Sequence, residues 1–164
     1  MKKLKINTKV NKGMHRYFLI TELFLAITPI ICYFYVSMLA LNLHVTFQDM
    51  LVKDPNITII FLIAMINPYI AYLIHLIYKK LETKDTTFVL INMFFLLIAQ
   101  LLTMNVFYFM MLLYVFYKAI NYYHVDVKKA WKSITIKQSF YCGGGSFLVI
   151  MLSSVCLYST IRLM

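Results

Sequence analysis

Long uncharged stretches alternate with short charged ones along the whole chain. The apolar runs extend over Tyr17 to about Leu43, Ile57 to Tyr78, Thr86 to Tyr117 and Tyr141 to Ile161. Each run is long enough for the roughly 20 residues that cross a hydrocarbon core. None contains the regular polar stripe that a water-facing helix needs. The pattern therefore predicts an all-α, polytopic transmembrane helix bundle in a single integral membrane domain, residues 1–164.

The third run, Thr87 to Ile120 with its flanks, decides the number of spans. As one helix its uncharged part, Thr86 to Tyr117, would be roughly 48 Å long, too long for one span and short for two. Polar residues gather at its middle, namely Gln100, Thr103 and Asn105, and Asn105 is a suitable N-cap for a second arm. We favour a hairpin and five spans, at about 17–43, 57–78, 87–102, 105–120 and 141–161. One long tilted helix would give four.

The distribution of basic residues predicts the orientation. Six basic residues and no acid lie between Met1 and Arg16, which places the N-terminus in the cytoplasm, ahead of an uncleaved first span. The loop from Lys118 to Gln138 has five lysines against Asp126 alone. Only the hairpin returns this loop to the inner side, as the positive-inside rule requires. We expect a bacterial cytoplasmic membrane, since the residue usage indicates an AT-rich genome.

Residues 126–138 in the lysine-rich loop are predicted to form an interfacial helix on the inner leaflet. Val127, Trp131, Ile134 and Gln138 form one stripe, and Lys128, Lys129 and Lys132 lie mostly off it. A tryptophan at the interface beside lysines suits an anionic lipid surface. An ordinary polar loop is the alternative.

Replacing Lys128, Lys129 and Lys132 together with glutamine should leave the fold intact but shift the topology, because positive charge holds a loop on the inner side. A reporter fused after Gln138 would measure this. If the reporter stays cytoplasmic in the triple variant, these lysines are not topology determinants.

Composition excludes several classes of protein. The chain is 62% hydrophobic, has a mean hydropathy of +0.78 and carries a net charge of +10. The basic residues lie outside the apolar runs, so they contact lipid headgroups and no nucleic-acid partner is expected. Cys32, Cys142 and Cys156 have no metal-binding spacing. We therefore expect neither a metal nor a cofactor.

Few residues within the apolar runs could carry chemistry. Glu22 and His75 are the ionisable pair, at similar shallow depth near the cytoplasmic side, and could pair across helices or simply be solvated at the interface. Asn67 and Pro68 interrupt the second span, where Pro68 frees a backbone carbonyl; either a kink or a transport site would explain them. The three glycines after Cys142 indicate a flexible entry or a tight packing seam. No catalytic arrangement is found, so no enzyme is expected.

The string YVFYKAINYYHVDVKKAWKSI, which begins at Tyr114, and the apolar run after it resemble the closing part of the Yip family of five-pass membrane proteins. There the fourth span ends in a short polar stretch with a basic-Ala step, here Lys129-Ala130. The resemblance covers about a quarter of the chain, Tyr114 to Met151. It implies five spans, a cytosolic N-terminus and a short outer C-terminus.

Three functions remain open at this point. The first, which we favour, is a non-enzymatic accessory or scaffold subunit that binds another membrane protein or itself. The second is a small transporter, channel or immunity-type protein with a polar site around Asn67, Pro68, Gln100 and Asn105. The third is a lipid-acting enzyme that uses Glu22 and His75.

Overall fold

The computed structural model describes residues 8–83, 85–124, 127 and 136–163, and the side chains of 13–83, 85–124, 127 and 143–163. This part of the chain is helical and has no strands, which confirms the predicted all-α class. The helices are α1 (Thr8–Asn42), α2 (Phe47–Lys53), α3 (Pro55–Glu82), α4 (Thr86–Leu102), α5 (Val106–Tyr122) and α6 (Ile136–Leu163).

Three of these helices are long and apolar enough to cross a membrane, over Gly13–Asn42, Pro55–Glu82 and Gly143–Leu163. The remaining apolar helices, α4 and α5, are shorter, with 17 residues each. Pro29 and Pro68 lie inside continuous helices. Of the predicted interfacial segment, residues 126–138, the described parts are Val127 and residues 136–138, which belong to the start of α6. Lys128, Lys129, Trp131 and Lys132 lie outside the described residues.

The long apolar run breaks into two helices, as the hairpin prediction required. The helix α4 ends at Leu102, and Met104 adopts a positive φ of 53° in the turn. Asn105 caps α5, since its side-chain Oδ1 accepts a hydrogen bond from the backbone N–H of Tyr108. The alternative of one long tilted helix is therefore wrong. The physical reason is local, because a polar cap and a turn residue satisfy backbone groups that the break exposes.

Contacts between helix ends give the direction of each helix. Lys118 Nζ lies 3.0 Å from the Tyr17 hydroxyl, so the end of α5 returns beside the start of α1. At the opposite end, Arg162 and Leu163 of α6 meet α2 and the first turns of α3. We call this second end the α2 end and the first the N-terminal end. The lysine-rich loop thus leaves α5 on the same side as the start of α1.

The helix α3 lies at the centre of the bundle and packs against α1, α4 and α6. The main core is built from fully buried side chains of several helices, including Phe18, Leu25, Ile70, Ile74, Ile77 and Leu96. A smaller cluster around Val36, Ala40 and Met50 ties α1 and α3 to α2. The outward faces remain strongly apolar, as expected where lipid is the solvent.

The α4–α5 hairpin stops short of the α2 end. Its turn, residues Thr103 to Asn105, lies beside Thr28 of α1 and Ala64 of α3. From Thr28, α1 continues for roughly 21 Å to Asn42, and from Ala64, α3 continues for roughly 14 Å to Pro55, at 1.5 Å per residue. The turn is therefore placed well inside the length of the long helices.

Candidate functional site

The turn of the hairpin forms the floor of a cavity of about 450 Å³ between α1 and α3. We call it the polar crevice. Its lining is apolar except for a few side chains that can form hydrogen bonds, an arrangement typical of small-ligand sites. The residues that line it are Thr28, Ile31, Cys32, Tyr35, Ile60, Ile63, Ala64, Asn67, Thr103, Met104 and Asn105.

Asn67 supplies the most notable polar group of this crevice. Its side chain is 2% exposed and lines the cavity, and its amide Nδ2 has no hydrogen-bond partner among the described residues. Leaving a buried donor unpaired is unfavourable by about 1–3 kcal/mol. Asn67 is therefore a buried donor with no partner at the edge of the crevice.

Pro68 adds an acceptor beside this donor. A proline lacks the N–H that would bond the carbonyl four residues earlier, which here belongs to Ala64. Ala64 also lines the crevice. The Asn67-Pro68 pair thus brings an unpaired amide donor and a carbonyl without its usual helical donor close together within the continuous helix α3.

The floor of the crevice is held by hydrogen bonds that cross between helices. The hydroxyls of Thr28 and Tyr108 lie 2.6 Å apart, and Tyr108 also donates to the Phe24 carbonyl. The Thr103 hydroxyl donates to the carbonyl of Gln100. The bonds of Tyr108 link the start of α5 to α1, whereas the Thr103 bond lies within the turn itself.

Gln100 lies next to the crevice but does not line it. Its side chain is buried, and its Nε2 has no hydrogen-bond partner in the described part of the chain. The structure therefore brings Asn67 and Asn105 of the predicted polar site together in the crevice. Pro68 does not line it, and Gln100 lies one turn below the hairpin tip.

Glu22 and His75 form a separate pair nearer the N-terminal end. Nδ1 of His75 lies 3.3 Å from Oε2 of Glu22, and both side chains are partly exposed. The predicted pairing across helices is confirmed. Glu22 is six residues from Thr28, and His75 is eight from Asn67, so this pair is at a different depth from the crevice.

A further polar contact, between Asn92 and Ser146, was missed by sequence reasoning. The Ser146 hydroxyl donates to Oδ1 of Asn92 over 2.6 Å, and both residues are buried between α4 and α6. The Asn92 amide also donates to the carbonyl of Phe88. An asparagine in an apolar run and a serine after three glycines were the available signals, since small and polar residues mark helix interfaces in membranes.

Two of the three glycines explain why α6 approaches its neighbours so closely. A Cβ at Gly143 would lie 2.8 Å from Cε2 of Phe95, and one at Gly145 would lie 3.0 Å from Leu73. A Cβ at Gly144 would meet nothing within 4 Å. The predicted packing seam is therefore confirmed, and it involves the first and third glycines.

The chemistry available to the crevice is hydrogen bonding to an uncharged group. No lining residue carries a formal charge, and among the described residues no cluster of three or more His, Cys, Asp or Glu side chains could hold a metal ion. No protein-family model, curated protein or solved structure matches this chain. The function must therefore be argued from the crevice itself.

Proposed function

We propose that this small membrane protein is non-enzymatic and holds a small uncharged solute in the polar crevice, as a transporter, channel or immunity-type protein would. The observation that carries the proposal is the unpaired, buried amide of Asn67, a residue that lines a cavity large enough for a ligand. A solute with a carbonyl or hydroxyl oxygen satisfies that amide. A charged solute is excluded, because nothing in the lining neutralises it.

The placement of the hairpin turn supports access by water. Backbone outside a helix is tolerated at membrane depth only where protein buries it or where it borders a water-filled cavity. The turn at Thr103 to Asn105 borders the crevice, and Met104 is exposed. We therefore expect water in the crevice when no solute occupies it.

Cys32 provides a test, because it lines the crevice. In a variant with Cys32 as the sole cysteine, a water-soluble maleimide should react at least about tenfold faster than in a variant with Cys156 alone, since the reactive thiolate forms only in contact with water. Cys156 is equally buried but lines an apolar groove, so it is a matched control. Labelling is measured in vesicles with the full-length chain.

The variant Asn67→Leu, made in the sole-Cys32 background, should slow the reaction by removing the polar wall. Ser154→Ala, an exposed α6 residue away from the crevice, should leave the rate unchanged. Equal rates at Cys32 and Cys156, with no effect of Asn67→Leu, would rule out a water-accessible polar site and with it the proposed function.

Two other functions suggested by the sequence, an accessory subunit and a lipid-acting enzyme, can be tested separately. An accessory subunit would co-purify with a stoichiometric membrane partner in mild detergent, and the Yip resemblance at Tyr114 to Met151 stays a prediction of the same kind. A lipid-acting enzyme would lose its activity in Glu22→Gln. The crevice is favoured over both because it contains an unsatisfied buried donor, which neither alternative requires.

A further inference from the structure

A second groove lies between α3 and α6 on another face of the bundle. Its deep part is a cavity of about 440 Å³, and its shallow part, at the α2 end, is one of about 530 Å³. Leu62 lines both cavities, so the two adjoin along α3. We infer that this α3–α6 groove binds one phospholipid with an anionic headgroup, its acyl chain in the deep part and its phosphate beside Arg162.

The deep part has the chemistry of an acyl-chain site. Its floor consists of the buried residues Ile66 and Cys156, and its walls are exposed apolar side chains. The lining residues are Leu62, Met65, Ile66, Tyr69, Leu148, Leu152, Val155 and Cys156. A flexible hydrocarbon chain can fill such a narrow apolar channel and gain dispersion contacts along its whole length.

The shallow part adds the groups that a phosphate needs. Arg162 carries the only formal charge among the described residues that line the groove, and it has no ion-pair partner in the described part of the chain. A guanidinium matches the geometry of phosphate oxygens. The hydroxyls of Tyr158 and Ser159 line the same cavity and are further donors.

The length of the groove favours a lipid over a partner helix. From Leu148 to Cys156 the deep part extends roughly 12 Å, at 1.5 Å per residue, close to the roughly 15 Å of hydrocarbon in one leaflet. It then closes, because Gly145 brings α6 against Tyr69 and Leu73. A transmembrane helix would need a groove that continues through the second leaflet. A lipid in the leaflet at the α2 end needs a groove of only this length.

The test uses the purified full-length chain in mild detergent, titrated with phosphatidylglycerol or with zwitterionic phosphatidylcholine and followed by native mass spectrometry. Arg162→Gln should weaken phosphatidylglycerol binding about fivefold, the factor that corresponds to the roughly 1 kcal/mol of one basic residue at a membrane surface. Phosphatidylcholine binding should change little. Arg16→Gln removes the same charge from an exposed position at the N-terminal end, outside the groove, and should weaken phosphatidylglycerol binding less than Arg162→Gln does.

A second pair of variants tests the deep part. Val155→Trp should fill the channel and reduce the binding of both lipids, whereas Ile30→Trp, at a similarly exposed apolar position that lines no described cavity, should not. Val155 is 63% exposed, so the bundle should still fold, as an unchanged melting temperature would show. Equal losses in Arg162→Gln and Arg16→Gln, unchanged binding in Val155→Trp, or a second copy of the chain seated in the groove would overturn the inference.

Discussion

Replacing Phe18 with alanine is expected to lower the free energy of unfolding by about 3 kcal/mol, the largest effect of any single truncation proposed here. The Phe18 side chain has no exposed surface, and its ring centroid lies 5.1 Å from that of Tyr78 in α3. Truncation leaves a cavity between α1 and α3, the two helices that bound the polar crevice. Reversible unfolding in mixed micelles, followed by circular dichroism, measures the loss.

Phe34→Ala is the matched control for this change. Phe34 belongs to the same helix, but 63% of its surface is exposed, so its truncation removes contacts with lipid or detergent and creates no internal cavity. Its effect should stay within about 0.5 kcal/mol, as for other surface positions. Similar losses in both variants would contradict the packing of α1 against α3.

Replacing Gly143 with leucine should destabilise the bundle by about 2 kcal/mol, within the range measured for overpacked interiors. The new Cβ would lie 2.8 Å from the Phe95 ring and 3.0 Å from Ile91, and the rest of the side chain has no space between α4 and α6. The Asn92–Ser146 hydrogen bond lies next to this contact and should lengthen as the helices separate. Unfolding in micelles again gives the magnitude.

Gly144→Leu tests the same seam with the opposite expected sign. This glycine is exposed, and an added Cβ meets nothing within 4 Å. Leucine favours a helix over glycine by about 0.8 kcal/mol. The variant should therefore be at least as stable as the parent chain. Destabilisation of equal size at both positions would mean that backbone flexibility, and not close packing, explains the glycines.

Features that depend on short stretches of sequence were predictable. The break in the long apolar run follows from a polar cap at Asn105 beside Gln100 and Thr103, because capping involves only neighbouring residues. That Glu22 and His75 lie at similar depth, where they could pair, follows from their positions along the first two spans, since a membrane orders residues along one axis. Both predictions needed no knowledge of which helices are neighbours.

Features that depend on the arrangement of helices were not predictable. The contact between Asn92 and Ser146 requires α4 to lie beside α6, and hydrophobic patterns do not encode that order in a chain that is apolar on nearly every face. The same limit applies to the polar crevice. Asn67 and Asn105 were recognised as polar residues in apolar runs, but their shared cavity arises only because the hairpin turn meets the middle of α1 and α3.

The short hairpin gives the molecule unequal widths in the two halves of the bilayer. Among the described residues, five helices lie side by side near the N-terminal end, whereas beyond Met104 three of them, α1, α3 and α6, continue towards the short helix α2. The protein is therefore a wedge that displaces more lipid area from one leaflet than from the other. Such a shape fits best in a curved membrane whose convex face lies on the side of the broader half.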